Sequence, residues 1–247
     1  MTQPETGARE RAEAGQGVLA AGPVTESAEP AEPDAAGPAR TAADRRATRQ
    51  RPGLPPGQYV PRTLPVLHYG PVPTFNPQAW DLKIFGATEA GCEAQLRWHD
   101  VAALPVSEVT ADFHCVTKFT VQAIHWAGVA TAQILLRFPP AASVTHVMIY
   151  AEFGYSANIR ISDFAADDTL LATHRDGARL TSDHGYPLRL VVPSLYAWKS
   201  VKWVRAIEYL TADRRGFWEE RGYHNVADPW QEQRYSYQEC DGEGPPL

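Results

Sequence analysis

His184-Gly185-Tyr186-Pro187-Leu188-Arg189-Leu190-Val191-Val192-Pro193 places an arginine at the head of an apolar, strand-like run. An unpaired charge is costly in such a setting, and a phosphate is its natural partner, because the guanidinium offers phosphate oxygens a planar fork. Downstream, Trp198-Lys199-Ser200-Val201-Lys202-Trp203 adds lysines and a hydroxyl between tryptophans. Upstream, Asp112-Phe113-His114-Cys115-Val116-Thr117 sets a lone cysteine between Phe113 and Val116. That cysteine is poorly placed for a disulfide, but its thiolate suits a soft or high-valent metal that neutralises its charge. Together the segments outline a metal cofactor held by one sulfur and gripped by its phosphate.

With 247 residues, 44% of them hydrophobic, and a formal net charge of -6, the chain can build one substantial core, with room for two subdomains. The acidic balance argues against nucleic acid or an anionic membrane as partner. Cys92, Cys115 and Cys240 are far apart and form no C-x-x-C pair, which excludes a disulfide framework or a structural zinc site and fits a reducing compartment. Near the N-terminus only Val18-Leu19-Ala20-Ala21 is apolar, and Arg45-Arg46 leads into polar residues. Neither pattern is a secretory signal, and no run approaches the roughly 20 apolar residues of a membrane span. A cytoplasmic protein is expected.

Residues 1–53 contain no aromatic side chain and are rich in Ala, Glu, Pro and Gly; such a segment reads as a disordered tail. The ordered domain is expected over 54–238, with 239–247 a flexible C-terminal tail. Prolines from Pro61 to Pro77 keep the first part extended. Strands are predicted at Trp80–Gly86, with Gln95–Trp98 as hairpin partner, and at Val109–Val116, His146–Ala151, Arg189–Val192 and Val204–Leu210. The spacing of Val129, Ala132, Leu135 and Leu136 predicts a helix over Gly128–Phe138, and Ile161–Leu171 reads as a short helix or turn. The Trp- and Tyr-rich segment from Gly216 is expected to wrap over the domain. The sum is an α+β fold, mainly β. No G-x-S-x-G, Walker or H-E-x-x-H pattern occurs, and Asp167-Asp168 and Glu219-Glu220 read as solvated carboxylates.

Taken in order, the Cys115 strand, His-Gly-x-Pro-x-Arg-x-x-x-Pro and Trp-Lys-Ser-x-Lys-Trp resemble the molybdenum-cofactor domain of the sulfite oxidase family, over about residues 58–235. Gly216-Phe217-Trp218-Glu219-Glu220-Arg221-Gly222-Tyr223-His224-Asn225 strengthens the likeness, which is greatest to the small bacterial sulfite oxidase-like oxidoreductases. The resemblance implies a sulfite oxidase-like molybdopterin-binding domain with Mo-molybdopterin as cofactor and Cys115 as the protein ligand of molybdenum. It implies that His184, Arg189, Ser200, Val201 through its backbone, and Lys202 bind the pterin and its phosphate, with Lys199 a further candidate. His68 and Tyr69 fall in the loop that contributes to the pterin pocket and substrate entrance. Tyr223 falls on the active-site tyrosine, with His114 and His224 as flanking histidines.

The implied reaction is two-electron oxygen-atom transfer on a small-molecule substrate, with a separate electron-transfer partner and a monomeric enzyme. The sulfite-oxidising branch carries arginines in the early loop and just after the metal cysteine. This chain has His68 in that loop and Lys118 alone among Cys115–Thr120, so a substrate other than sulfite is expected. An S-oxide or N-oxide reductase, or a protein that only holds the cofactor, are the alternatives.

Overall fold

The structure is a computed structural model and describes residues 53–247; the expected disordered tail lies, apart from Gly53, outside the described residues. Two sheets carry the fold, the first mixed and the second antiparallel throughout. One sheet has the order β2-β1-β10-β5-β6, from β1 (Asp81–Gly86), β2 (Ala94–Arg97), β5 (His146–Ala151), β6 (Ser156–Arg160) and β10 (Val204–Leu210). Only its β1 to β10 pairing is parallel. The other runs β3-β4-β7-β8, from β3 (Ser107–His114), β4 (Thr120–Ala130), β7 (Leu170–Arg175) and β8 (Ala178–Arg179), with β9 (Arg189–Val191) on β7. Among the described residues three short helices, α1 (Trp98–Ala102), α2 (Thr131–Arg137) and α3 (Ile161–Phe164), complete it. The fold is α+β and mainly β. No helix among the described residues is long and apolar enough to cross a membrane.

The residue pattern explains these layers. In β1, Leu82 and Ile84 are buried while Lys83 between them is exposed, the alternation of a strand with one covered face. In β7 and β9 the alternation instead feeds two cores. Leu171 and Leu190 join the cluster under the first sheet, while Leu170 and Val191 join Phe113, Ile124 and Trp126. Coverage on both faces is why Leu190-Val191-Val192 is an unbroken apolar run.

The predicted helix over Gly128–Phe138 is corrected. Gly128 and Val129 belong to β4, and only Thr131–Arg137 is helical. A Cβ at 128 would lie 2.1 Å from Leu171 O, at the point where the register between β4 and β7 shifts. The glycine serves a close strand approach there, and its apolar neighbours only mimic helical spacing. Within Ile161–Leu171 the helix ends at Phe164 and Leu170 already belongs to β7. Trp98 is not the end of a strand but opens α1, where it packs edge-on against Phe75 and Trp80.

Within residues 239–247, expected as a flexible tail, Glu239, Glu243 and Pro245 bond back to the domain. Arg215 grips Glu239 with both terminal nitrogens, at 2.9 and 2.6 Å, and its Nε donates to Pro245 O. Gln233 donates to Glu243. These contacts tie the chain end under the aromatic segment that carries Tyr223.

Candidate active site

One cavity of about 320 Å³ opens between the two sheets and the C-terminal segment. Cys115, Tyr223, His68, Tyr69, His184, Arg189, Ser200, Val201 and Lys202 all line it.

The cationic wall is built by a turn and two strand ends. The 3-10 turn Ser182–His184 is closed by Gly185 at φ 110. A Cβ at 185 would come within 2.9 Å of Arg189 Cβ and 3.3 Å of Lys202 Cβ, so only glycine lets the turn press against both cations. Arg189 is 2% exposed. Its terminal nitrogens donate to His184 O at 3.1 Å and Ser200 O at 3.2 Å, and its guanidinium lies over the rings of Phe113 and Trp126. Lys202 Nζ donates to Asp183 O at 2.6 Å, and Ser200 Oγ accepts Val192 N at 3.0 Å.

Burial disfavours each charge here. It lowers Arg189 to about 9, with Arg175 adding repulsion, and Lys202 to about 7, with Arg189 adding to the effect. It lowers His184 to about 4, with Arg175 and Lys202 contributing. Arg189 Nε and His184 Nδ1 are buried without a partner. A phosphate would accept from Arg189 Nε, favour the charged forms of Arg189 and Lys202, and take a hydrogen bond from His184 in the tautomer with the proton on Nδ1, so the residues present fit the phosphate of a pterin cofactor.

The opposite wall follows β3. Cys115 stands one residue past the strand, its N donating to Phe119 O at 2.8 Å and its carbonyl accepting Lys118 N at 3.0 Å. Its Sγ is 3.1 Å from Thr117 Oγ1. Burial pushes the thiol upward, with the Thr117 hydroxyl opposing, so the free group is a poor nucleophile and a metal that binds the thiolate would offset that cost. Tyr223 is half-buried, edge-on to Trp198 at 5.1 Å and tilted on Trp218 at 5.2 Å. Burial raises its pKa, with Tyr235 and Cys115 adding. At the exposed mouth, His68 Nδ1 bonds Gly70 O at 2.9 Å and Tyr69 packs on Phe217.

Some expected residues sit elsewhere. Lys199 does not line the cavity. Its Nζ is fully buried, 2.6 Å from Glu219 Oε1, and donates to Asn158 O and Asn225 O. Glu219, read as solvated, is thus the buried counter-ion, and its Oε1 also accepts Trp198 Nε1 at 2.8 Å. The backbone of Val201 is already engaged, its N–H with Lys199 O and its carbonyl with Leu190 N. Lys118 is exposed and off the cavity, leaving Arg189 and Lys202 as the lining Arg and Lys residues. His114 bonds Thr120 Oγ1 and His224 accepts Val226 N; both are buried behind the wall.

Sequence reasoning missed Tyr155, whose hydroxyl donates to Trp198 O at 2.6 Å beside the cavity. It also missed Arg175, opposite Trp126 in the strand register, and Gln58, whose amide donates to Cys115 O at 3.1 Å. None lies in a motif; each reaches the site by folding alone.

This fold and this pairing of a lone thiol with a phosphate-ready cationic wall define a pterin-metal oxidoreductase domain. The chain belongs to the oxidoreductase molybdopterin binding domain family, whose model matches residues 69–218. It is an oxidoreductase of the sulfite oxidase type, and its cofactor is Mo-molybdopterin.

It is 38% identical over 193 residues to the uncharacterized oxidoreductase YuiH of Bacillus subtilis, covering 78% of this chain and 96% of that one. It is 26% identical over 192 residues to the sulfite oxidase of Arabidopsis thaliana, covering 63% and 48%. To the protein-methionine-sulfoxide reductase catalytic subunit MsrP of Campylobacter jejuni it is 24% identical over 177 residues, covering 63% and 59%. Among solved structures, the sulfane dehydrogenase SoxCD of Paracoccus pantotrophus shares the fold with a TM-score of 0.54 at 20% identity, over 63% of this chain and 43% of that one. The chain therefore spans nearly all of YuiH but less than two thirds of the other three.

Proposed function

We propose that this protein carries out two-electron oxygen-atom transfer with Cys115 as the single protein ligand of molybdenum, on a neutral or larger substrate rather than sulfite, and exchanges electrons with a separate partner. The observation that carries the reading is the division of the cavity. Arg189 and Lys202 are bonded into the His184 turn, and beside Cys115 the wall is Val116, Thr117, Tyr155, Trp218 and Tyr223. A small dianion needs several converging cations to replace its water, and among the described residues there is beside Cys115 only Arg234, bonded to Val116 O behind the lining residues. Aromatic rings favour an apolar substrate body instead.

When bound, the cofactor would carry the oxygen atom and exchange two electrons with the substrate, accepting them as it gives oxygen or giving them as it removes oxygen. The chain's own residues do the rest. Arg189, Lys202 and His184 hold the phosphate, and the Ser200 hydroxyl hydrogen is free to join them while its oxygen accepts Val192 N. Tyr223 carries its proton on Oη at neutral pH as any phenol does, burial raising its pKa further, and presents it as donor to an oxygen at the reacting centre. Trp198 and Trp218 exclude water around that donor.

A second reading, reduction of an S-oxide with the same cofactor, is favoured by the likeness to MsrP and by the same aromatic wall, since a sulfoxide is neutral. The cofactor-loaded protein should be assayed with sulfite and ferricyanide and, separately, with S-oxides and a reduced viologen. Poor sulfite oxidation is expected. Turnover with sulfite on the order of 10 per second or more with a low-micromolar Michaelis constant would overturn the substrate assignment.

A further inference from the structure

The turn that follows β3 carries a group with no role so far. The Thr117 hydroxyl is 3.1 Å from Cys115 Sγ and faces the cavity. The backbone of the turn that carries it is held from three directions. Inside the turn, Cys115 N donates to Phe119 O and Lys118 N to Cys115 O, with Lys118 at φ 76. From the N-terminal side, Gln58, 1% exposed, donates to the Cys115 carbonyl at 3.1 Å. From the C-terminal side, Arg234 donates to Val116 O. The backbone of the turn is thus fixed, and it sets the exposed Thr117 with its hydroxyl beside the sulfur.

A thiolate has no proton, so once Cys115 is ionised the hydroxyl must be the donor. A hydrogen bond donated to a ligating thiolate draws charge from it and weakens its donation to the metal, which raises the metal's reduction potential. We propose that Thr117 is a positioning residue that sets the reduction potential of the metal by donating its hydroxyl hydrogen to the Cys115 thiolate; the proposal rests on the reading of Cys115 as the molybdenum ligand.

Thr117→Val keeps the branched shape and removes the donor, whereas Thr117→Ser keeps the donor and removes the methyl. In the cofactor-loaded full chain, potentiometric titration followed by electron paramagnetic resonance should give a more negative midpoint for Thr117→Val at unchanged molybdenum content. Thr117→Ser should give the wild-type midpoint. An unchanged midpoint in Thr117→Val overturns the proposal, and so does an equal shift in both variants, which would trace to shape. Loss of molybdenum from Thr117→Val also overturns it, because the hydroxyl would then serve loading rather than potential. A Cys115→Ser protein that keeps its molybdenum and its potential would instead remove the ligand reading itself, so the two failures are told apart.

Discussion

The wall made by His184, Arg189 and Lys202 and the wall made by Cys115, Val116 and Tyr223 face the same cavity but handle burial in opposite ways. The first keeps cations out of water with donors left over, Arg189 Nε and His184 Nδ1. An anion bound against this wall would offset the cost of burying those cations. The second keeps groups neutral, with Cys115 and Tyr223 both pushed by burial toward their protonated forms. The comparison teaches that anchoring and chemistry are separated in this cavity. Cations line the cavity where a phosphate would be held, whereas at the Cys115 end the one neighbouring cation among the described residues, Arg234, is bonded to Val116 O behind the lining.

The largest effect should come from removing the thiol. Cys115→Ser is expected to fold normally, since its backbone bonds to Phe119, Lys118 and Gln58 do not involve Sγ, yet to lose its molybdenum and all turnover. Metal analysis together with an assay checks this; normal activity would erase the distinction between the two walls. Arg189→Ala should act on the other wall alone. Losing one charge-assisted contact costs about 1.5 to 3 kcal/mol, roughly 10- to 150-fold in cofactor affinity. Pterin and molybdenum content should fall together, with substrate preference unchanged in the molecules that remain loaded. Full occupancy in the variant would show that the anchor lies elsewhere.

A smaller effect separates the walls by pH. Lys202 is lowered from 10.5 to about 7. In the cofactor-free protein the unfolded chain therefore binds more protons at this group between those values, and the group's contribution to fold stability grows as pH rises through that window. Anion binding runs the other way, because an anion favours charged Lys202. Sulfate, which does not titrate there, should raise the melting temperature of the cofactor-free protein more at about pH 6 than at about pH 9. The difference should shrink in Lys202→Met to what Arg189, lowered to about 9, contributes. An equal shift at both pH values would take Lys202 out of the anion site.

How much of this was legible before folding differs between the walls. Arg189 and Lys202 lie in compact motifs, and the strands that present them could be read from apolar runs at Arg189–Val192 and Val204–Leu210. Lys199 shares that motif but ends the 3-10 turn Ala197–Lys199, which aims it at Asn158 and Asn225; nothing in the local spacing separates it from Lys202. The Cys115 wall is assembled from distant pieces. Gln58 and Arg234 reach the turn from 57 residues before Cys115 and 118 after Val116, and Tyr155 sits in a short connection between β5 and β6. Such contacts leave no periodic trace. The strand β4 was hidden for a different reason, since Gly128 at its bulge reads locally as an interruption.

The smallest expected effect concerns Lys118, the cation that sequence placed beside the reacting end. The structure puts its side chain in solvent, and what is special about it is its backbone, at φ 76. A non-glycine residue in that region costs roughly 1–2 kcal/mol, while glycine gives up roughly 0.5–1 kcal/mol of chain entropy on folding. Lys118→Gly should therefore stabilise the protein by about 0.5 to 1 kcal/mol in denaturant unfolding. It should leave the Michaelis constants for charged and neutral substrates alike. If the variant instead loses activity selectively toward anionic substrates, Lys118 belongs to the reacting end after all and the separation of charge from chemistry fails there.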